Sequence, residues 1–284
     1  AALTAPHSTD SSPAPGATLS GVHGHRTFLP HRPEEVLVMR SPTPLIVLLA
    51  LAGCAGPRAG SRPFPLVPEV CGAHLAVTTK SAEAQRYFDQ GLTLYWGFDH
   101  EEAQRSFARA SELDPDCAMA YWGSALAVGP NINNPTMDEE RNRAASAALE
   151  QARVHAAGLT PLELGLLEAL SRRYAMPLAA ERRALDEAYA TTMRTVWQAH
   201  PESAEAGALF AEALMDLRPW DLFTKDGVAQ PGTDEILATI ERVLALAPDH
   251  VGANHLAIHA WEMSPTPEKA SPSADRLRTL VPGA

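Results

Sequence analysis

The residues best suited to chemistry lie in one run: His250, then Asn254-His255-Leu-Ala-Ile-His259-Ala-Trp-Glu262. On a helix, His255 and His259 are four apart and share a face, and Glu262 follows three further on the same side. One helix offers two imidazoles to a single metal ion by this spacing. Glu262, or a group beyond it in the chain, would supply a third ligand. The pattern is not H-E-x-x-H. Leu256 follows His255, so no adjacent carboxylate stands ready as a general base. The same pair reads equally well as hydrogen-bonded structural histidines in an interhelical groove. Two other stretches exceed what a plain helix requires. Trp96-Gly-Phe-Asp-His100-Glu101-Glu102 reads as a turn and helix start, with Asp99 as N-cap and both glutamates on the positive end of the dipole, or as a binding turn. Gly129-Pro-Asn-Ile-Asn-Asn-Pro135 carries Asn131, Asn133 and Asn134, whose side chains cap their own backbone in turns or present amides to a ligand. No G-x-S-x-G, Walker loop, G-x-G-x-x-G or C-x-x-C accompanies them.

The elements that must hold these residues are helices. Ser81–Tyr95 is one amphipathic helix, and a second runs Glu101–Leu113 until Pro115 stops it. Ala118–Val128 follows, and after the Gly129–Pro135 insertion comes Asp138–Ala157. Thr160-Pro161-Leu162-Glu163 has the form of a capping box and opens Leu162–Tyr174. Ala179–Ala199 and Ala204–Leu217 come next, then the aromatic insertion Arg218-Pro-Trp-Asp-Leu-Phe, then Thr233–Leu246. A last pair starts at Val251. Counted from Ala84, Gly91 is position 8, Ala103 is 20, Phe107 is 24, Ala110 is 27 and Pro115 is 32. Small residues thus sit where two helices approach closely, with Phe107 filling the gap between them. Pro248 to Pro282 again spans 34 residues.

Lys plus Arg is 23 against Asp plus Glu at 34, a net charge of −11, which argues against a nucleic-acid binder, since that needs a basic stripe to meet phosphates. With 45% apolar residues in 284, the chain can bury a core. Three cysteines exclude a disulfide-dense scaffold and a four-cysteine zinc site. Cys71 and Cys117 would pair in an oxidising compartment or stand as two separate buried thiols. Residues 1–38 are rich in Pro, Ser, Gly and His and read as upstream sequence or a disordered leader. From Met39, Arg40, the apolar run Leu45–Ala52 and Leu51-Ala-Gly-Cys54 form a signal over 39–53, too short for a membrane span. Leu-Ala-Gly-Cys resembles the bacterial lipobox, which implies lipidation at Cys54. The bland readings are an ordinary secretory signal, or a buried apolar strand with a chance Cys. Two or three acyl chains hold a protein on a membrane where one would not. Ala55 and Gly56 follow Cys54 with no Asp, which in a diderm bacterium favours the outer membrane. The proline-rich start of 54–80 reads as a tether leading into a short extended segment.

The spacing from Ala84 to Pro115 resembles the tetratricopeptide repeat, whose period is about 34 residues. The resemblance covers roughly residues 75–284. Ala84–Leu92, the run Phe107–Pro130 into Asn131-Ile-Asn, Arg218-Pro-Trp-Asp-Leu and Asp249–His255 with Ile258-His259 resemble a narrower group of exported bacterial repeat proteins with no firmly assigned activity. Val251 departs from that group, where Pro is common, as do Leu256 and Ala257, where aromatics are. The group also continues into a further His-rich segment. The resemblance implies an all-α, tetratricopeptide-like solenoid over 81–284, with degenerate repeats and loop insertions. The end at Ala284, with no polar capping helix, reads as truncation or as a face that pairs with something. The leading expectation is a cell-envelope scaffold binding a protein or peptide in its concave groove, without catalysis or a required cofactor. Tyr87, Tyr95, Tyr121, Trp122, Asn131 and Asn133 would line that groove. The alternatives are a divalent-metal protein or metalloenzyme using His255, His259 and Glu262, and a small-ligand carrier with Trp122 and Trp220 as stacking platforms.

Overall fold

A computed structural model describes residues 64–70, 72–179 and 181–282. The leader, signal, lipidation and Cys71 readings lie outside the described residues. Ten α-helices follow in order: α1 Ala82–Trp96, α2 His100–Leu113, α3 Ala118–Ala127, α4 Glu139–Val154, α5 Pro161–Ser171, α6 Arg183–Ala199, α7 Ala204–Met215, α8 Thr233–Leu246, α9 Val251–Glu262 and α10 Ser271–Leu280, with a 3-10 turn Pro267–Ala270 before α10. The all-α expectation holds among the described residues. Starts are written locally. Ser81, Asp138 and Ser203 each accept a hydrogen bond from the backbone N–H three residues on. Thr160 and Glu163 form the reciprocal capping box, with Pro161 at the first helical position. Asp99 occupies the cap position of α2 but its side chain makes no cap bond, contrary to the sequence expectation.

Each helix packs on the next, and the odd-numbered helices also pack on one another: α1 on α3, α3 on α5, α7 on α9, and α1 on α9. The reason is composition. α7 reads AEAGALFAEALM, apolar on every side, and every residue from Glu205 to Met215 is buried. α2 buries only Ala103, Ser106, Phe107 and Ala110, one stripe. Odd helices thus form an inner row and even helices an outer one. Phe107 is the wedge of the first hairpin. A Cβ at Gly91 would lie 2.8 Å from its ring and one at Gly123 2.4 Å, so only glycine admits it. Burying a side chain such as Phe107 contributes about 1.5–3 kcal/mol.

Part of the stretch expected as tether is packed. Gln90 accepts from the Val67 N–H at 2.7 Å, Gln85 from Val77 at 3.0 Å and the Thr93 hydroxyl from Ala73 at 3.0 Å, which holds this extended segment along α1. Turns between hairpins are short: 114–117, 155–160, 200–203 and 247–250. Apart from the tight 97–99 turn, connections inside hairpins are longer: 128–138, 172–182, 216–232 and 263–270. Because successive hairpins run the same way, these connections share one edge.

Candidate functional site

The unusual stretches of the sequence meet around α9. Trp96 ends α1, and its indole lies against Gly252, where a Cβ would approach to 2.3 Å. Its Nε1 donates to Glu205 at 2.8 Å. The other oxygen of Glu205 meets His250 Nε2 at 3.0 Å. His250 Nδ1 accepts from the Ala253 N–H, capping α9, so the proton sits on Nε2 and is given to the carboxylate. His250 is therefore structural: it caps the helix that carries the pair.

His255 and His259 point the same way and their Nε2 atoms stand 3.0 Å apart. His255 Nδ1 faces the Trp96 carbonyl, which can only accept. His259 Nδ1 faces the Glu262 carboxylate at 2.7 Å. Each Nδ1 therefore carries a proton and gives it away, and in the neutral rings both Nε2 lone pairs face one another. Such a contact is repulsive unless a proton or a metal cation lies between. Burial pushes the imidazole of His255 down, so its own Nε2 stays an unprotonated acceptor. Glu262 was expected as a ligand. It sits instead on the far nitrogen of His259, where a carboxylate orients a metal-bound imidazole and raises its basicity. Among the described residues, no three His, Cys, Asp or Glu side chains group as a metal site. The pair stands as two imidazoles with their orienting partners.

Two residues other than glycine adopt left-handed backbone among the described residues: Phe98 at φ 61° and Trp220 at φ 59°. Both pack on His259, Phe98 stacked at 5.7 Å and Trp220 edge-on at 5.2 Å. For bulky side chains this conformation costs on the order of 1–2 kcal/mol each. At Phe98 it closes the end of α1: the Phe98 N–H donates to the Tyr95 carbonyl and the Asp99 N–H to the Leu94 carbonyl, both at 3.0 Å. Phe98 also touches His255 at 4.4 Å and His100 at 5.6 Å. Both ring nitrogens of His100 are buried without a hydrogen-bond partner. Burial, with the Arg141 charge adding to it, pushes that imidazole down to about 4. A cleft of about 460 Å³ opens beside His255 between Trp96, Val251, Leu277 and Arg278. A second, of about 400 Å³, lies between His100, Gln104, Asn131, Asn134 and Arg141.

The residues expected to line a groove are dispersed. Tyr87, Tyr95 and Trp122 are core residues, their polar atoms given to the Phe64 carbonyl, Glu212 and the Leu166 carbonyl. Tyr121 is half-buried, stacks on His155 and donates to the Pro115 carbonyl. Asn131 is buried and its side-chain oxygen accepts from the N–H groups of Asn133 and Asn134, so the loop amides close their own turn. Arg141 clamps that loop through the carbonyls of Val128, Gly129 and Thr136. Asn133 and Trp220 are exposed. Cys117 is a buried free thiol.

A buried polar cluster went unforeseen. Fully buried Arg173 pairs with Asp216, lies 3.7 Å from Asp186 and stacks its guanidinium over Tyr189. Beside it, Tyr95 donates to Glu212 at 2.6 Å. Burial, with the Asp216 charge adding to it, raises the Glu212 carboxyl to about 8. The only sequence signal was an acidic residue at each end of an otherwise apolar helix, Glu205 and Glu212 in α7. Trp96 and Phe98 lie in the Trp96–Glu102 stretch that the sequence singles out, but their contact with the histidine pair is not written there. No protein-family model matches this chain and no curated protein matches it, so the chemistry of the site rests on its own residues.

Proposed function

We propose that this chain is an exported helical-repeat protein that binds one divalent transition-metal ion through Nε2 of His255 and His259. The observation that carries the reading is the 3.0 Å between those two atoms, with each Nδ1–H already committed to its own acceptor. With metal–nitrogen bonds of about 2.0–2.1 Å, that spacing subtends roughly 94° at the ion. A cis angle near a right angle suits tetragonal Cu2+ or Ni2+, whereas tetrahedral zinc would need the rings to part by roughly 0.3 Å. The general affinity order of divalent ions also favours copper. An ion held by two protein nitrogens keeps open positions and polarises whatever donor fills them.

The frame is tetratricopeptide-like. The small residues Gly91, Ala103 and Ala110 are buried where hairpin helices cross, with Phe107 between them, which supports that repeat. A lipid on Cys54 would hold the array at the envelope surface. A partner-binding role is favoured by a specific feature: the long connections share one edge, with Trp220 and Asn133 exposed there. That edge, and not the inner row, is the surface offered to a protein partner.

Calorimetric titration of the untagged full chain with Cu2+ tests the metal reading. One ion per chain is expected, with binding lost in His255→Ala/His259→Ala while helicity by circular dichroism is kept. Unchanged copper binding in the double variant refutes it.

A further inference from the structure

We infer that the cleft between α2, the end of α3 and α4 binds a small zwitterion, an α-amino acid with an apolar side chain. The cleft holds about 400 Å³, and neither His255 nor His259 lines it, so it stands apart from the copper pair. Two opposite charges do line it, Arg141 from α4 and Glu101 from α2. Among the described residues neither has an ion-pair partner, and no ion pair joins them across the gap. Arg141 is fixed before any ligand arrives. Its Nε donates to the Val128 carbonyl at 3.1 Å, Nη1 to that of Thr136 at 3.1 Å and Nη2 to that of Gly129 at 2.8 Å. One N–H therefore remains on each terminal nitrogen, the pair that a carboxylate takes side by side. The three carbonyls are neutral, so the charge itself is left for an anion to meet. Glu101 is exposed and its carboxylate makes no hydrogen bond among the described residues, which leaves it for an ammonium group. His100 and Gln104 share the Glu101 face of α2. Both ring nitrogens of His100 are buried without a partner, polar capacity left unspent beside the cleft. Burial, with the Arg141 charge adding to it, holds that imidazole neutral, so the balance stays at one charge of each sign. Ala127 and Val128 supply an apolar wall for the side chain. A plain carboxylate would meet Glu101 as like charge against like charge, which selects against it.

The test uses the untagged full chain and three probes of one shape: L-leucine, 4-methylpentanoate, which lacks the ammonium, and isoamylamine, which lacks the carboxylate. Calorimetry should show L-leucine binding and each analogue about tenfold weaker, since each leaves one charge of the cleft unmet. In Glu101→Gln, L-leucine should weaken about tenfold while 4-methylpentanoate gains, because its repulsion is gone. In Arg141→Lys, which keeps the charge but loses the fork, L-leucine should also weaken about tenfold. Amide NMR should place L-leucine in the cleft by shifts at Gln104 and Val128. The inference is overturned if L-leucine does not bind at millimolar concentration, if 4-methylpentanoate binds as tightly, or if L-leucine affinity is unchanged in Glu101→Gln. Should Arg141→Lys fail to fold, Glu101→Gln at its exposed position decides by itself. L-leucine should bind His255→Ala/His259→Ala as it binds wild type, so this inference and the metal reading fail separately.

Discussion

A single methyl group placed at Gly252 should disturb both the fold and the site. The Cβ of Gly252→Ala would lie 2.3, 2.5 and 2.6 Å from three ring atoms of Trp96. Ordinary carbon contacts are about 3.5–4.0 Å, so the indole must retreat by more than about 1 Å. Trp96 is fully buried and its Nε1 holds Glu205 at 2.8 Å, so retreat breaks that bond. Overpacking costs about 1–3 kcal/mol and loss of a hydrogen bond to a charged group about 1.5–3 kcal/mol, together about 3–5 kcal/mol. At about 3 °C for each kcal/mol in a domain of this size, Tm should fall by about 9–15 °C. The Trp96 carbonyl also fixes the ring of His255, so copper affinity should fall as well. Thermal melts by circular dichroism and copper calorimetry at a temperature below both transitions read the two effects. Pairing Gly252→Ala with Trp96→Leu, which vacates the space, should lose less than the sum of the single changes. A Tm within about 3 °C of wild type for Gly252→Ala would refute the packing argument.

Other expectations follow from neighbouring groups. Glu262→Gln keeps the length of the side chain but removes the charge beside His259 Nδ1, so copper affinity should drop about 10- to 100-fold by calorimetry. Asp216→Ala leaves the buried guanidinium of Arg173 without its closest carboxylate and should cost about 3–5 kcal/mol in denaturant unfolding. Burial raises the Glu212 carboxyl in the folded chain to about 8, above its ordinary range when unfolded. Between those values the native state holds the extra proton, so stability from this group is present at low pH and is lost as pH rises towards about 8. Glu212→Gln keeps an acceptor for Tyr95, so its Tm should match wild type at acidic pH and exceed it above that window.

How much the sequence disclosed depended on the range of the interaction. Helix boundaries are local, and Thr233–Leu246 was read to the residue, as was the Thr160–Glu163 capping box. Helix ends near loops drifted: Ala179–Ala199 starts at Arg183, and Leu162–Tyr174 ends at Ser171. Which aromatics face inward was not legible. Tyr87, Tyr95 and Trp122 carry polar atoms suited to a groove, but their partners lie far along the chain, Glu212 for Tyr95 and the Leu166 carbonyl for Trp122. The four-residue spacing of His255 and His259 did place both on one face. Their tautomers could not be read, because the acceptor that fixes His255 is a backbone carbonyl 159 positions earlier. Glu262 was expected on the metal side because i, i+3 spacing gives proximity without saying which ring nitrogen it meets.

The most direct measurement is nitrogen NMR of the imidazoles, with and without zinc, the diamagnetic stand-in for copper. If a cation lies between the two rings, zinc shifts Nε2 of both His255 and His259 while both Nδ1–H groups keep their protons and their acceptors. A spectrum in which zinc leaves both Nε2 signals in place, or strips the proton from either Nδ1, would contradict the account.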